Sequence, residues 1–290
     1  MANFVARRPG DVGGPQTGNG SDTVPLGNRE GLWAKVDVVD LFQLHGKNAL
    51  VTGASSGIGK QVALAYAQAG AAVAIAARHH EPLQQLAAEI AAGGGTAVPI
   101  TCDVTQPELV ATMLSRVTDE LGGVDIAVCN AGIIALSSLL DMPLEEFESI
   151  QNTNVNGVFL TAQAAAKAMV AQQRAGTIIN TASMSGHIVN TPQQVGHYCT
   201  SKAAVIQLTK AMAVELAPHN IRVNSVSPGY ILTELVEPYS EYHALWEPKI
   251  PLGRLGRPEE LVGIYLYLAS DASSYMTGSD IVIDGGYTCW

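Results

Sequence analysis

ALVTGASSGIGKQVALAYAQAG, residues 49–70, decides the fold. ALVT (49–52) has the short apolar character of a buried strand, and GKQVALAYAQAG (59–70) reads as a helix that Gly70 is placed to end. Between them lies Thr52-Gly53-Ala54-Ser55-Ser56-Gly57-Ile58-Gly59. Glycine lets backbone N–H groups come close to a phosphate, and a helix N-terminus favours its negative charge. A glycine-rich loop alone is weak evidence of a nucleotide site; one that joins a strand to a helix is strong. The spacing TGxxxGxG differs from the GxGxxG of the commoner dinucleotide fingerprint.

Outward from this stretch the alternation repeats. AAVAIAA (71–77), TAVPITCDV (96–104), DIAVCNAG (125–132), GTIINTAS (176–183), IRVNSVSPG (221–229) and DIVIDGG (280–286) read as further strands, with helical stretches between them. Apolar strands alternating with helices imply a parallel sheet covered on both faces. The expected fold class is therefore α/β: one doubly wound domain, residues 44–290, with a seven-stranded parallel sheet flanked by helices. Such sheets bind ligands at the carboxyl ends of their strands, near the switch point. Residues 1–43 open with a Gly-, Pro- and Asn-rich segment lacking an apolar period, which predicts a flexible arm. Within it, Trp33, Val36, Val38, Val39, Leu41 and Phe42 are expected to form a short anchor.

Composition narrows the function. Hydrophobic residues make up 47% and charged residues 14%, a core-rich chain. A net charge of −10 argues against nucleic acid or anionic membrane as partner. No apolar run reaches the ~20 residues of a membrane span, and the N-terminus has no secretory apolar segment. Cys102, Cys129, Cys199 and Cys289 lack metal or redox spacing, so the reading is four reduced thiols in a cytoplasmic protein with no metal site.

The chemistry-bearing stretch is His197-Tyr198-Cys199-Thr200-Ser201-Lys202, which leads into the helical run AAVIQLTKAMAVEL. Positions four apart share a helix face, so Tyr198 and Lys202 point the same way. An ammonium beside a phenol favours its ionised form, so the Tyr198 pKa is expected to fall toward working pH. A tyrosine so placed moves a proton in either direction.

TGASSGIG, Asn130-Ala131-Gly132, Tyr198-Cys199-Thr200-Ser201-Lys202 and Pro228-Gly229 occur in the order and spacing of the short-chain dehydrogenase/reductase family, which the chain resembles over roughly residues 44–290. SMSGHIVNTPQQ and the ending VIDGGYTCW are similar to the microbial sorbose reductase and mannitol 2-dehydrogenase group. The resemblance implies a catalytic set of Asn154, Ser183, Tyr198 and Lys202. Tyr198 is the proton donor, Lys202 lowers its pKa and holds the nicotinamide ribose, and the Asn154 carbonyl holds a water. Asn180-Thr181-Ala182-Ser183-Met184-Ser185-Gly186 aligns Ser183 with the family serine, although the usual spacing back from the tyrosine selects Ser185.

For the cofactor, the resemblance places Gly53, Ser55, Ser56, Gly57, Ile58 and Gly59 around the phosphates. Asp103 goes to the adenine amine and Val104 to the adenine pocket. Asn130, Ala131, Gly132, Pro228, Gly229, Ile231 and Thr233, with Tyr198 and Lys202, line the rest. NAD-using relatives carry an acid where Ala77 stands here; Arg78 beside it suits a 2′-phosphate, so NADP is expected rather than NAD.

Glu234–Gly256 is expected to form a lid. His187, Asn190, Gln193 and Gln194 are expected to offer hydrogen bonds to a hydroxylated substrate, a ketose or its polyol; His187 and His197 also read as ordinary structural histidines. The alternatives are a β-ketoacyl or cyclic ketone, or a non-catalytic NADP sensor. Two widely apolar helices, GVFLTAQAAAKAMVAQ and AAVIQLTKAMAVEL, imply further buried contacts. Relatives assemble through them as tetramers, and a homotetramer is expected here.

Overall fold

The computed structural model describes residues 37–290. Strands β1 (Asn48–Thr52), β2 (Ala72–Ala77), β3 (Thr96–Thr101), β4 (Ile126–Cys129), β5 (Gly176–Thr181), β6 (Ile221–Pro228) and β7 (Asp280–Ile283) form one sheet in the order β3-β2-β1-β4-β5-β6-β7. Every pairing is parallel. Strand order reverses between β1 and β4, which opens a crevice at their carboxyl ends.

Helices cover both faces: α1 (Gly57–Gln68), α2 (His80–Ala92), α3 (Pro107–Leu121), α4 (Leu144–Gln151), α5 (Gly157–Ala171), α6 (Gly196–Leu216), α7 (His243–Trp246) and α8 (Val262–Ala269). β1 shows why its residues are apolar throughout. Leu50 packs into the core under α3, α5 and α6, while Ala49 and Val51 pack under α1, α2 and α8. Each buried Val or Leu contributes roughly 1.5–3 kcal/mol, so a strand buried on both faces has no polar side to offer. Gly70 ends α1 as expected, at φ +97°.

Between β4 and β5 the chain runs as one helical path broken in the middle. Asn152–Asn156 forms a π turn between α4 and α5. Such turns interrupt the regular i→i−4 ladder and are frequent at functional sites.

A third apolar cluster, Met184, Tyr230, Trp246, Ile250, Leu255 and Tyr287, lies under the segment after β6. The two ends of that segment are tied together, since Gly256 N–H donates to the Tyr230 carbonyl and Leu232 N–H to the Gly256 carbonyl, each at 2.9 Å. Between them run short helical turns over Glu237–Lys249.

The anchor expected before β1 is only partly formed. Phe42 leans on Tyr267 of α8, ring centroids 6.4 Å apart, but Val38 and Val39 are exposed. Apolar side chains on a short 3-10 turn, Asp40–Phe42, cannot all reach one surface. Trp33, Val36 and the rest of residues 1–36 lie outside the described residues.

Candidate active site

The carboxyl ends of β1, β2, β4, β5 and β6 converge on a cleft of about 420 Å³. All the residues expected to bind the cofactor line it except Gly59, whose part is to let the turn close. A Cβ on Gly59 would stand 2.3 Å from the Gly53 carbonyl oxygen, and one on Gly53, at φ +64°, 2.9 Å from the Ala131 Cα. Backbone meets backbone at both points, so a side chain has no room. Ser56 is the N-cap of α1 yet makes no side-chain cap bond, which leaves the first amides of the helix to an anion. Asn130 locks the turn from below. Its Nδ2 donates to the carbonyls of Thr52 (3.1 Å) and Gly53 (3.3 Å), and its N–H donates to the Thr52 hydroxyl (3.0 Å). These features fit a dinucleotide: a glycine cradle, an uncapped helix N-terminus and a cleft continuing to β3.

At the far end of the cleft Arg78 is exposed, with no ion pair among the described residues. Asp103 accepts hydrogen bonds from the Thr105 N–H (2.9 Å) and hydroxyl (2.8 Å). The Thr105 N–H holds the Asp103 carboxyl below its usual range; burial opposes it, and the Thr105 hydroxyl and Arg78 add to the lowering. Val104 lies against Gly157, where a Cβ would come within 2.7 Å. Pro228-Gly229 ends β6, and a Cβ on Gly229 would meet the Asp284 Cα at 2.6 Å. Ile231 pairs with Gly256, and Thr233 sits over Gly57.

At the near end stand Ser183, Tyr198 and Lys202. Lys202 is buried, its Nζ 5.5 Å from the centre of the Tyr198 ring and 2.9 Å from the Thr181 carbonyl it donates to. Ser183 reaches the cleft and Ser185 does not. The Ser183 hydroxyl accepts from the Ser185 N–H and donates to the Ser185 hydroxyl, both at 3.1 Å.

The electrostatics correct one expectation. Burial pushes the Tyr198 phenol up to about 12, partly offset by the neighbouring Ser183 hydroxyl, instead of down toward working pH. Burial also brings the Lys202 amine down to about 8. Desolvation disfavours both charged forms, and at this separation it outweighs their mutual attraction.

Asn154, in the π turn, is fully buried and does not line the cleft. Its Oδ1 accepts from the Ile133 N–H at 2.8 Å, and its Nδ2 donates to the Ile133 carbonyl (2.9 Å) and the Ser201 hydroxyl (3.0 Å). The side chain thus clamps the chain after β4 to α6, and protein groups rather than solvent satisfy it.

The histidines and amides expected near a substrate are engaged elsewhere. His187 Nε2 lies 2.6 Å from Asp280 Oδ2, and His197 is buried facing Glu146 at 3.3 Å. Asn190 and Gln193 both donate to the Tyr230 hydroxyl, at 3.0 and 2.5 Å, and Gln193 accepts from Trp246 Nε1 at 3.0 Å. Gln194 is exposed and lends only its carbonyl, to the Ser137 N–H. None of these residues lines the cleft. Residues that do, and were not foreseen as site residues, include Ile133, Thr153, Thr181, Glu234 and Val236. Thr181 was legible only as part of a motif, Glu234 and Val236 only as members of the expected lid segment, and Thr153 only as the neighbour of Asn154; nothing in the sequence marks Ile133.

A doubly wound sheet with a glycine cradle at its switch point, and a tyrosine and lysine beside it, defines a dinucleotide-dependent oxidoreductase. Residues 53–288 match the family model described as enoyl-(acyl carrier protein) reductase, and the chain belongs to the short-chain dehydrogenase/reductase family. A solved short-chain type dehydrogenase/reductase from Mycobacterium marinum is 76% identical, with a TM-score of 0.86 over 87% of this chain and 99% of that one. The sorbose reductase of Candida albicans is 43% identical and a probable NADP-dependent mannitol dehydrogenase of Yarrowia lipolytica 42%, each over 87% of this chain and 91% of its own length. A 3-oxoacyl-(acyl-carrier-protein) reductase from Thermotoga maritima is also 42% identical, over 84% of this chain and 96% of its own.

Proposed function

We propose that the chain is an NADP-dependent oxidoreductase interconverting a ketone and a secondary alcohol, with a ketose and its polyol as the substrate pair. The observation that carries this reading is the meeting of Ser183, Tyr198 and Lys202 with the glycine cradle in one cleft. Gly53, Ser55, Ser56, Gly57 and Ile58 would hold the diphosphate, Arg78 the 2′-phosphate and Lys202 the nicotinamide ribose. Bound NADPH would supply hydride to the carbonyl carbon. Tyr198 donates the proton to the carbonyl oxygen, and its raised pKa keeps it protonated at neutral pH. The Ser183 hydroxyl donates a hydrogen bond to the charge developing on that oxygen. Asn154 holds the backbone at the π turn, where its carbonyl is proposed to carry a water toward Lys202. The ketose assignment draws on the sorbose- and mannitol-acting relatives.

A second reading keeps the chemistry and changes the substrate. Ile133, Leu235 and Val236 line the cleft, and Asn190 and Gln193 are committed to Tyr230 and Trp246. An apolar wall suits a β-ketoacyl or cyclic ketone. NADPH oxidation with ketoses, acetoacetyl thioesters and cyclic ketones separates the two, and turnover confined to the last two removes the ketose. Tyr198→Phe is expected to lower kcat roughly 10²–10⁴-fold while still binding NADPH; retained turnover would reject the proton assignment. Assembly as a homotetramer is proposed through α5 and α6, where Phe159, Val170 and Val214 stand exposed. A cytoplasmic location is proposed as well; no helix among the described residues is long and apolar enough to cross a membrane.

A further inference from the structure

The reaction above makes no use of a buried chain of hydroxyls beneath the cleft. Thr181, the last residue of β5, accepts from Lys202 through its carbonyl. Its hydroxyl lies 3.2 Å from Asn130 Oδ1 and 2.7 Å from the hydroxyl of Tyr265. Tyr265 belongs to α8 and is fully buried, and its own carbonyl accepts from the Tyr66 hydroxyl at 2.9 Å. Counting donors gives the network a direction. Asn130 Nδ2 donates to the Thr52 and Gly53 carbonyls, so its Oδ1 is the acceptor. The single proton of Thr181 goes to that oxygen. Tyr265 is therefore the donor to Thr181, and burial, which raises its pKa, keeps it protonated.

Two apolar side chains of similar size would fill the space of Thr181 and Tyr265 without the cost of burying two hydroxyls, but would leave Asn130 Oδ1 without its donor. What the hydroxyls add is orientation. Thr181 sits where the two ends of the cofactor site meet: its backbone holds the amine, and its side chain holds the asparagine that locks the glycine turn. We propose that Thr181 and Tyr265 are positioning residues for dinucleotide binding, fixing the Lys202 amine and the Gly53 turn relative to each other. This rests on the reading of the cleft as an NADP site.

The test measures NADPH dissociation constants by fluorescence alongside thermal melting, on the full chain. Thr181→Val leaves Asn130 Oδ1 and Tyr265 without partners and is expected to weaken NADPH roughly tenfold, with Thr181→Ser restoring affinity to within about twofold of the parent. Tyr265→Phe is expected to weaken it about threefold alone and to add nothing on top of Thr181→Val, because both break one chain. The control is Thr177→Val, on the same strand, which loses a buried hydroxyl bond to the Leu268 carbonyl away from the cleft. It is expected to lower the melting temperature comparably and leave NADPH affinity unchanged. A Thr181→Val affinity equal to that of the parent, or a Thr177→Val loss of the same size, overturns the positioning role. So does full additivity of Thr181→Val and Tyr265→Phe. A parent chain that binds no NADPH rejects the cofactor reading, and this proposal with it.

Discussion

The glycine turn of the cleft and the segment after β6 that flanks it are two halves made of different materials. Around the glycine turn the close contacts are backbone to backbone, Gly59 against Gly53 and Gly53 against Ala131. Around the segment after β6 they are side chain to side chain. Trp246 stacks on Tyr230 with ring centres 4.1 Å apart, and Asn190 and Gln193 pin the rim of the pair. A backbone site dictates residue type at fixed spacing, because only glycine fits. A side-chain site accepts many solutions of equal volume. The first half therefore shows in the sequence as a motif. The second shows only as a scatter of polar and aromatic residues whose directions are hidden.

The largest expected effect lies at the seam between the halves. Lys202→Met is expected to lower turnover at least 100-fold and yet to stabilise the fold at pH 7. The amine has its pKa depressed to about 8 from an unfolded value of 10.5. Between those values the unfolded chain holds more protons, so this group adds stability as pH rises from about 8 toward 10.5, and its full penalty is present below 8. A shift of this size is worth roughly 3 kcal/mol; the lost bond to Thr181 returns about 1. A gain of about 2 kcal/mol in urea unfolding at pH 7, vanishing above pH 10, is the expected result. In the parent enzyme, ketone reduction is expected to fall as pH passes about 8 and the ammonium discharges. Unchanged stability at pH 7 would mean that the amine is better solvated than its burial implies.

Gly59→Ala tests the backbone half. A methyl 2.3 Å from the Gly53 carbonyl forces α1 away from the turn. Overpacking of this kind costs about 1–3 kcal/mol, which corresponds to roughly 5- to 150-fold in NADPH affinity. The test reads the change in Kd. Arg78→Gln, at the exposed end of the same half, is expected to lose about tenfold in NADPH affinity and nothing in NADH affinity. Equal losses for both cofactors would leave Arg78 without a role at the 2′-phosphate.

The same contrast explains what was legible. Strand number, parallel pairing and the cleft's position follow from apolar strands punctuated by helices, and the seven strands lie close to where the pattern puts them; the order in which the strands lie side by side was not read from the sequence. Tyr198 and Lys202 were legible because four-residue spacing fixes a helix face. The direction of the Tyr198 pKa was not, since it depends on how much solvent each group loses, and spacing does not carry that. Asn154 was legible through the family resemblance, but the π turn and the Ile133 clamp were not. Asn190 and Gln193 misled because a polar residue near a site satisfies the protein as readily as a substrate. Here the buried Trp246 N–H and Tyr230 hydroxyl claimed them first.

Gln193→Leu gives the smallest effect and the sharpest test of the side-chain half. The substitution nearly conserves volume and removes both the acceptor for Trp246 and one donor to Tyr230. Stranding a buried N–H costs about 1–3 kcal/mol, and here that cost falls on the seating of the segment carrying Leu235 and Val236. The expected outcome is a modest loss of stability, NADPH affinity unchanged, and a rise of about threefold in KM for every ketone alike. Were Gln193 to bind a substrate hydroxyl directly, the loss would instead be selective. Hydroxylated ketones would suffer by orders of magnitude, because a polar partner would be left unpaired in the complex, and apolar ketones would be spared. KM measured in parallel for a ketose and a cyclic ketone decides between a lid anchor and a recognition residue.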